Sequence, residues 1–490
     1  MADRQFRLRL RVHGIAHRPA PRRRAQKRLR LAPRHPAHVR RRPPAHHRRG
    51  ARPYPSHPRA GPAQRVATLG RHRSRPGHGA VAKPPHRSGR HVARHPYLRG
   101  PHPVGDRRRA HRLRAGGVPR PDRRRHPRRR RPRLTVDKAT VDLYERRGLE
   151  WAARRRPVRR AHARSFAKRV LAGAPRLDLG CGAGRYTAEL GSPVVGLDAA
   201  AAMLGRCRNE VPGALLVQGD LEALPFGAQR FGGAWANMSY LHVPSVRLPL
   251  ALADLHRVLA VGAPIDVQVL HGDYEGSALP QDDVGGRFFA SWRPDPLLEV
   301  FTGAGFEVQA CQVEEDVVRV RAERLRTLAD VVGPGMSLLF VGLNPSLYAA
   351  DAGVGFARPG NRFWPAALTA GIVTRDRDAF HALRHHRVGM TDLVKRATAG
   401  ADELSATEYE QGLHRVERLV RWLQPATVCM VGLAGWRAVV DRAATPGLQR
   451  RTLGDRPVYV MPSTSGANAH ARMDDLVGHL RAAAELAILA

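Results

Sequence analysis

The residue whose surroundings most clearly indicate chemistry is Asn344, which follows the apolar run 337–341 and stands directly before Pro345. The proline, together with nearby Gly342, is expected to hold the side-chain amide in one direction. An apolar run of this length is typical of a buried strand. Because α/β sheets bind ligands at the carboxyl ends of their strands, the sequence predicts that Asn344 faces a ligand there.

Three further blocks follow in the same segment. The first, Gly-Val-Gly-Phe-Ala-Arg-Pro-Gly-Asn-Arg-Phe-Trp, contains Phe356, twelve residues after Asn344. The other two are strand-like runs, 427–432 and 457–461, and the second leads into Pro-Ser-Thr-Ser-Gly-Ala-Asn-Ala. In this order the blocks resemble the mismatch-specific uracil/thymine DNA glycosylase family, over about residues 330–480.

This resemblance implies an enzyme that flips uracil or thymine out of double-stranded DNA with G·U or G·T mismatches and removes it without a cofactor. Asn344 matches the catalytic residue that aims water at C1′, and Phe356 matches the residue on which the flipped base stacks. The matching DNA-binding residues, in the loop that enters the duplex, are Ser463, Ser465, Gly466, Ala467 and Asn468. Lys395, the only lysine of this segment, lies outside these motifs, so we expect a monofunctional enzyme without a Schiff-base step.

The tip of the DNA-binding loop departs from the family pattern. Ala467 and Ala469 stand where a family member can carry a bulky apolar or arginine side chain. A small side chain fills the space left by a flipped base poorly, so strong mismatch preference and tight product binding are not implied. A neutral amide at 344 cannot deprotonate water, so we expect slow turnover.

A second set of motifs lies in the middle of the chain. The run 176–179 predicts a strand, glycines then alternate with other residues, and 185–190 predict the start of a helix. A strand, a glycine-rich turn and a helix form the nucleotide-binding unit of doubly wound sheets. Asp198 ends the next strand and can accept both ribose hydroxyl protons, and Asp220 ends the third and can bond an adenine amino group.

With the run Gly-Asp-Leu-Glu-Ala-Leu-Pro-Phe, these motifs resemble the small-molecule branch of the class I S-adenosylmethionine-dependent methyltransferases. The resemblance implies S-adenosyl-L-methionine as cofactor, bound by Asp178, Gly180, Gly182, Gly184, Asp198, Asp220 and Leu221. The Gly-x-Gly-x-Gly spacing makes NAD binding the weaker alternative. The methyl acceptor is unknown, and Tyr240, His242 and Trp292 either line an acceptor pocket or only pack in the interior.

The charge of the chain is concentrated in its first 134 residues. The whole chain has a formal net charge of +43, of which residues 1–134 contribute +39. This Arg-, Pro- and His-rich segment is predicted to be disordered, because it cannot bury enough apolar surface to offset the entropy of ordering. Two interpretations remain: a polybasic arm that binds nucleic-acid phosphates, or a GC-rich gene read in the wrong frame.

Composition excludes several other classes. The four cysteines are scattered singly, which argues against a disulfide framework and against a metal site. No apolar run reaches the roughly 18 residues that a membrane helix needs, and the basic N-terminus lacks the apolar stretch of a secretory signal. We therefore expect a cytoplasmic protein that has no membrane partner, is monomeric, and is nucleoid-associated when it binds DNA.

The sequence thus predicts two three-layer α/β/α domains, the first with a doubly wound methyltransferase sheet and the second with a uracil-DNA-glycosylase-like sheet. The expected boundaries are 1–134 for the basic segment, 135–325 for the methyltransferase-like domain and 326–490 for the glycosylase domain. Two alternatives remain. One is a non-catalytic mismatch-binding protein with a cofactor-sensing domain. The other is a small-molecule methyltransferase fused to its neighbour by a gene-boundary error.

Overall fold

The structure is a computed structural model that describes residues 136–489. The prediction of a disordered or misread segment over 1–134 lies outside these residues. The helices are α1 (Lys138–Arg154), α2 (Arg160–Ala167), α3 (Ala201–Glu210), α4 (Leu248–Val258), α5 (Pro294–Gly303), α6 (Leu347–Ala352), α7 (Phe363–Thr369), α8 (Ala379–His386), α9 (Ala406–Leu423), α10 (Leu433–Val439) and α11 (Met473–Leu489). Short 3₁₀ helices cover Thr187–Leu190, Tyr240–His242, Ser245–Arg247 and Ala401–Glu403.

The strands divide into two sheets. Those of the first are β1 (Arg176–Leu179), β2 (Val194–Asp198), β3 (Leu215–Gln218), β4 (Gly233–Asn237), β5 (Pro264–His271), β6 (Glu275–Gly276), β7 (Phe289–Trp292), β8 (Phe306–Glu314) and β9 (Val317–Arg324). Those of the second are β10 (Leu338–Gly342), β11 (Val388–Asp392), β12 (Thr427–Val431), β13 (Gly447–Leu448) and β14 (Val458–Met461).

The first sheet is a mixed sheet with a parallel centre. Its order is β3-β2-β1-β4-β5-β7-β6, and β9 pairs antiparallel with β5 and with β8. The order reverses between β1 and β4, and this is the point at which doubly wound sheets bind ligands. Strand β1 lies between two parallel neighbours, so Leu177 and Leu179 are fully buried in the core.

The second sheet has the order β11-β10-β12-β14-β13, with β13 antiparallel to β14 and the other pairs parallel. Strand β10 lies between β11 and β12, and Leu339 and Phe340 are fully buried in a core shared with α7, α9 and α11. The prediction of two α/β domains is confirmed, and the predicted strand runs lie within one residue of their observed positions, except that β3 ends at Gln218, two residues before Asp220.

The prediction of an α-helix after the glycine-rich turn is wrong. Residues 185–190 form only the 3₁₀ helix Thr187–Leu190. Gly191, whose φ angle is +77°, and Pro193 follow at once and prevent an α-helix from continuing. A single 3₁₀ turn lacks the aligned peptide dipoles of a long helix, so the binding of a ligand here depends on the glycine loop and side chains.

The connection between the two sheets is short. Strand β9 ends at Arg324, the backbone N–H of Asp330 donates to Gly303 at 2.8 Å, and Val331 already pairs with Met390 of β11 at 2.9 Å. The boundary predicted at residues 325–326 falls within this connection. Both ends of the connection are hydrogen-bonded. The first sheet therefore ends, and the second domain begins, within a few residues of each other in the sequence.

Candidate active sites

The carboxyl ends of four parallel strands meet at one edge of the second sheet. Asn344 follows β10, Asp392 ends β11, Gly432 follows β12 and Ser463 follows β14. Since these strands are adjacent in the order β11-β10-β12-β14, the polar residues that follow them are brought to the same edge. This is where the sequence predicts a ligand to bind Asn344.

The side-chain amide of Asn344 is held by its nitrogen. Nδ2 donates to the hydroxyl oxygen of Thr398 at 2.7 Å and to the carbonyl oxygen of Arg396 at 3.0 Å. The hydroxyl of Thr398 in turn donates to the carbonyl oxygen of Gly400 at 2.6 Å, so its oxygen can only accept from Asn344. This fixes which end of the amide is nitrogen. Oδ1 has no hydrogen-bond partner among residues 136–489 and is the atom left to bind a ligand or water.

Phe356 lies beside this edge in an uncommon backbone conformation. Its φ angle is +59°, which a bulky residue adopts only when the surrounding structure enforces it. Its ring stacks on Phe363 with centroids 4.2 Å apart and an interplanar angle of 19°. The preceding loop is tied down because the indole N–H of Trp364 donates to the carbonyl oxygen of Gly355 at 2.9 Å. One face of the Phe356 ring is covered by Phe363, and the ring as a whole is only half-buried.

Asp392 is a site residue that the sequence analysis missed. It pairs with Gly342 across β10 and β11, and a Cβ at Gly342 would collide with its carboxylate and touch the Phe356 ring at 3.4 Å. The side chain is 9% exposed, and its carboxylate has no hydrogen-bond partner in the described part of the chain. Burial raises the pKa of Asp392 to about 6, and nearby Lys395 limits the rise. The feature of the sequence that could have indicated Asp392 is an acidic residue at the end of a strand.

The loop at the end of β14 projects toward solvent. Ser465, Gly466 and Ala467 are exposed, whereas Ser463 is half-buried. The side chain of Asn468 donates to the carbonyl oxygen of Ser463 at 2.8 Å and so closes the loop on itself.

A second residue fixes the loop from outside. The guanidinium group of Arg362 donates to the carbonyl oxygens of Asn468 at 2.7 Å and Ser465 at 3.2 Å. These hydrogen bonds hold the loop in one conformation, and its tip is an exposed surface of small side chains.

In the first sheet, the glycine-rich turn and Asp198 form a single hydrogen-bonded unit. Gly180, Gly182 and Gly184 all have positive φ angles, of +67°, +54° and +81°. The carboxylate of Asp198 accepts from the backbone N–H of Gly182 and of Ala200, both at 2.9 Å. Burial raises the pKa of Asp198 to about 6. Each carboxylate oxygen retains a lone pair, so the group can still accept hydrogen bonds from a ligand.

The other predicted cofactor residues lie close to this unit but are partly occupied. Asp178 is buried and accepts from the hydroxyl of Thr187 at 2.7 Å, and burial raises its pKa to about 7. The carboxylate of Asp220 accepts from the backbone N–H groups of Val136 at 3.1 Å and Glu222 at 2.9 Å. Leu221 is 9% exposed.

Two buried polar atoms without hydrogen-bond partners indicate that a polar ligand fits beside the glycine-rich turn. Asn237 Oδ1 and Ser239 Oγ, at the carboxyl end of β4, are buried and have no hydrogen-bond partner among the described residues. Ser239 lies against Gly180, where an added Cβ would collide with it. Unsatisfied buried polar atoms cost about 1–3 kcal/mol each, so a ligand that bonds to them is stabilised. A cofactor with polar groups that lies on the glycine turn meets this requirement.

The three candidate acceptor residues are separated. Tyr240 is fully buried in the core of the first sheet, and its burial raises the pKa of its hydroxyl. Trp292 packs edge-on against Trp422 of α9, with ring centroids 6.1 Å apart, and so lies at the contact with the second sheet's domain. His242 alone contacts α1, through a 3.1 Å hydrogen bond to Tyr144.

Comparison with protein families finds two domains. Residues 177–262 match the family described as Methyltransferase domain, and residues 329–486 match the Uracil DNA glycosylase superfamily. The chain therefore contains a methyltransferase domain and a domain of the uracil DNA glycosylase superfamily. The two matches fall on the first and the second sheet respectively.

Solved structures similar to this chain include three methyltransferases. An S-adenosylmethionine-dependent methyltransferase from Methanosarcina mazei is 16% identical, with 33% of this chain and 97% of that chain covered and a TM-score of 0.30. The 1,6-didemethyltoxoflavin-N1-methyltransferase of Burkholderia thailandensis, solved with S-adenosylhomocysteine, is 20% identical, with coverage of 37% and 84% and a TM-score of 0.31. A Mesorhizobium loti S-adenosylmethionine-dependent methyltransferase is 19% identical, with coverage of 34% and 96% and a TM-score of 0.28.

Membrane-spanning helices and clusters of metal-binding side chains are absent from the described residues. Over residues 136–489, no helix combines the length and the apolar character that crossing a lipid bilayer requires. Within the same range, no group of three or more His, Cys, Asp or Glu side chains is arranged to hold a metal ion.

Proposed function

We propose that the domain at 326–490 is a monofunctional DNA glycosylase that hydrolyses the N-glycosidic bond of uracil or thymine mispaired with guanine and leaves an abasic site. The observation that carries this proposal is the arrangement of Asn344, whose Nδ2 is fully engaged while Oδ1 is free at the strand edge. A fixed acceptor of this kind can hold one water molecule in a set direction, and such positioning supplies much of the rate of a hydrolysis.

The flipped base would stack on the free part of the Phe356 ring. Phe363 supports that ring from behind at 4.2 Å, so the ring does not need to be ordered when the base arrives. Base–aromatic stacking contributes about 1–3 kcal/mol per base and is tolerant of base identity. Selection of G·U and G·T would then depend on the ease of flipping, which costs least for a mismatched base.

Asp392 supplies what a neutral amide lacks. In its ionised form the carboxylate can take a proton from the attacking water or stabilise positive charge that develops on the sugar. Burial and the charge of Asp330 raise the pKa of Asp392, whereas the charges of Lys395 and Arg415 favour its ionisation. We therefore include Asp392 in the proposed catalytic machinery together with Asn344.

The absence of a lyase step is supported by the position of Lys395. Its ammonium group donates to the carboxylate of Asp330 at 2.8 Å, and the same carboxylate accepts from Arg415 and Thr391, both at 2.6 Å. Asp330 is buried, and these cations hold the pKa of its carboxyl below the usual range. A charged lysine bound in this way is a poor amine nucleophile, so formation of a Schiff base is not expected.

The test compares the full chain with its Asn344→Ala variant. Both would be incubated with end-labelled duplexes that contain G·U, G·T or A·U and with single-stranded uracil DNA, and alkali would then reveal abasic sites. We expect excision from the G·U and G·T duplexes by the native chain and a loss of at least 100-fold in the variant. Asn209→Ala, at an exposed position on α3, is the matched control and should retain full activity.

The outcomes separate this proposal from its rival. Binding to mismatched duplexes without any excision would instead favour a non-catalytic mismatch-binding protein. Excision that survives in Asn344→Ala would leave the glycosylase in place but remove Asn344 from its mechanism.

A second function is supported for residues 135–325, namely methyl transfer from S-adenosylmethionine. The orphaned Asn237 and Ser239 atoms and the glycine-rich turn beside Asp198 are the observations that favour it. Bound S-adenosylmethionine would supply an electrophilic methyl group on a sulfonium. The protein then has to bind this cofactor, exclude water and align an acceptor.

Binding of S-adenosylhomocysteine, measured by calorimetry, tests this second function. We expect Asp198→Asn to weaken binding at least tenfold, because a carboxylate is a better acceptor for two ribose hydroxyls than an amide. Asp316→Asn, at an exposed turn before β9, should bind like the native chain. Failure of the native chain to bind would contradict the proposal for this domain and leave the glycosylase proposal intact.

A further inference from the structure

An aromatic cage surrounds one buried arginine next to the proposed cofactor site. The guanidinium carbon of Arg287 lies 5.4 Å from the ring centre of Tyr144, 5.6 Å from that of Trp151 and 5.2 Å from that of Phe289. Arg287 is only 5% exposed, and its charge is balanced by the carboxylate of Asp282. The negative faces of the aromatic rings and the carboxylate of Asp282 together stabilise this buried cation.

The hydroxyl of Tyr144 is held inside this cage between a donor and an acceptor. The ring nitrogen Nδ1 of His242 lies 2.6 Å from the carbonyl oxygen of Phe288, which can only accept, so Nδ1 carries the proton. His242 Nε2 is therefore an acceptor, and the Tyr144 hydroxyl donates to it at 3.1 Å. The Tyr144 oxygen accepts from Arg287 at 2.9 Å.

His242 stays uncharged in these surroundings. Burial, aided by the charge of Arg287, lowers its pKa to about 4, while the carbonyl of Phe288 and the carboxylates of Asp282 and Asp137 act in the opposite direction. A neutral imidazole keeps its Nε2 lone pair available for a proton at neutral pH.

The cage adjoins the residues proposed to bind the cofactor. Glu145, next to Tyr144 on α1, accepts from the backbone N–H groups of Ala201 and Ala202, at 2.7 and 2.8 Å, at the start of α3, three residues after Asp198. A Cβ at Gly182 would touch the end of Met203 at 3.4 Å, and Met203 also packs against Gly148 of α1. Helix α1 thus packs on the glycine-rich turn, and Tyr144 belongs to the same apolar cluster as Ala183 of that turn.

A further unsatisfied group in the cage also indicates a ligand. The indole N–H of Trp151 is buried and has no hydrogen-bond partner in the part of the chain that the structure describes. The ring of Trp151 meets that of Tyr144 edge-on, with centroids 5.6 Å apart. An oxygen substituent on a bound ring would satisfy this donor.

We propose that His242, Arg287 and the cage of Trp151 and Phe289 form the acceptor site of the methyltransferase domain. The acceptor is a hydroxylated aromatic ring, and the side chain of Tyr144 lies in the position that this ring takes. This inference rests on the proposed methyltransferase function. Tyr144 presents the chemistry that the site recognises, since a phenol hydroxyl is bound there by one cation and one neutral imidazole.

The bonds, electrons and proton of the methyl-transfer step can all be accounted for with these residues. The acceptor oxygen forms a bond to the methyl carbon, the carbon–sulfur bond breaks, and its electron pair remains on sulfur as a neutral thioether. The hydroxyl proton passes to Nε2 of His242. Arg287 stabilises the negative charge that the oxygen gains as the proton leaves, which favours an oxygen nucleophile over an amine. An amine that entered the same position would place its own protons toward the guanidinium group.

The first experiment measures binding without turnover. The full chain, saturated with S-adenosylhomocysteine, would be titrated by calorimetry with one-ring and two-ring hydroxyarenes, each paired with its amino, carboxy and unsubstituted counterpart. We expect the hydroxy compound of at least one scaffold to bind at least tenfold tighter than its three counterparts. With S-adenosylmethionine in place of the product, mass spectrometry should detect the O-methyl ether of that compound.

Two variants test residues of the proposed site, and a third serves as the control. His242→Gln should leave S-adenosylhomocysteine affinity within twofold and lower methyl transfer by about 100-fold, as removal of a general base does. Tyr144→Phe should bind the hydroxyarene about two- to tenfold tighter, because the internal competitor has lost its hydrogen bonds. His271→Gln, at an exposed position at the end of β5, is the control and should change neither quantity.

The outcomes that overturn the inference are distinct. A preference for amino compounds, or no preference among the four members of every scaffold, contradicts the assigned acceptor class. Normal methyl transfer in His242→Gln removes the base, and weaker hydroxyarene binding in Tyr144→Phe contradicts the competition. If the native chain fails to bind S-adenosylhomocysteine, the methyltransferase proposal itself is wrong and this inference falls with it.

Discussion

The amide nitrogen of Asn344 lies 2.7 Å from the hydroxyl oxygen of Thr398, a residue 54 positions later in the chain. This contact decides which atom of Asn344 faces the strand edge, because the hydroxyl proton of Thr398 is already committed to the carbonyl of Gly400. A residue with no assigned chemistry thereby sets the direction of the proposed catalytic amide.

The orientation of Asn344 predicts the effect of changing Thr398. Thr398→Val removes the hydroxyl, so the amide loses its best acceptor and can rotate its nitrogen toward the site. We expect the single-turnover rate of G·U excision to fall about tenfold, the equivalent of one lost hydrogen bond, while the affinity for the duplex changes less than twofold. Thr398→Ser keeps the hydroxyl and should retain the native rate. A parallel loss of affinity in Thr398→Val would indicate a structural role instead.

The raised pKa of Asp392 predicts a pH dependence of excision. If the ionised carboxylate acts in the reaction, the single-turnover rate on G·U should rise about tenfold per pH unit below pH 6 and level off above it. Asp392→Asn should be at least 100-fold slower and show no such rise. An unchanged pH profile in Asp392→Asn would exclude this carboxylate as the titrating group.

The same carboxylate predicts a pH dependence of stability. The pKa of Asp392 is about 6 in the folded chain, above the value of about 4 in an unfolded chain, so the folded state binds the proton more tightly. Stability therefore falls as the pH rises from about 4 to about 6 and is lowest above that range. Asp392→Asn removes this cost and should be more stable by about 3 kcal/mol at pH 8, but nearly equal to the native chain at pH 4. Denaturant unfolding at both pH values measures the difference.

The stacking role proposed for Phe356 predicts that excision slows only when a substitution removes the aromatic ring. Phe356→Leu keeps an apolar side chain but removes the π-face, and we expect kcat/KM for G·U excision to fall about 10- to 100-fold, in line with one lost base–aromatic contact. Phe356→Tyr retains the face and should stay within threefold of the native chain. Phe380→Leu, on the half-buried side of α8 in the same domain, serves as the control and should leave kcat/KM unchanged. Equal losses at 356 and 380 would show only a general effect of removing a ring.

The conformation of the glycine-rich turn in the first sheet predicts that one added methyl group, at Gly180, strongly affects stability and cofactor binding. Gly180 has a φ angle of +67°, and a Cβ there would collide with the Cβ of Ser239. Gly180→Ala should therefore cost about 2–5 kcal/mol and abolish S-adenosylhomocysteine binding, because the strained backbone and the clash add. Gly213→Ala meets nothing within 4 Å and should be neutral in both assays. Thermal unfolding and calorimetry on the two variants would reveal a wrong assignment if they behaved alike.

The local pattern of the sequence was enough to predict several strands of both sheets, and the motifs beside them predicted the two domains. Apolar runs such as 337–341 and 427–432 predict buried strands because a central parallel strand is covered on both faces. Glycines at 180, 182 and 184 predict a turn that ordinary side chains cannot form, and all three have positive φ angles. The one element predicted wrongly, the helix at 185–190, was shortened by Gly191 and Pro193, whose effect as breakers was not weighed.

What only the tertiary structure decided is which side chains meet. Asn344 follows β10 and Asp392 ends β11, and their proximity follows from the pairing of these two strands, which no local pattern encodes. The same is true of Tyr144 and His242, which are 98 residues apart and meet because α1 folds over the glycine turn. Strand and turn preferences act over a few neighbouring residues, whereas the free proton acceptors and buried charges of a site arise from long-range packing, which only the folded chain brings about.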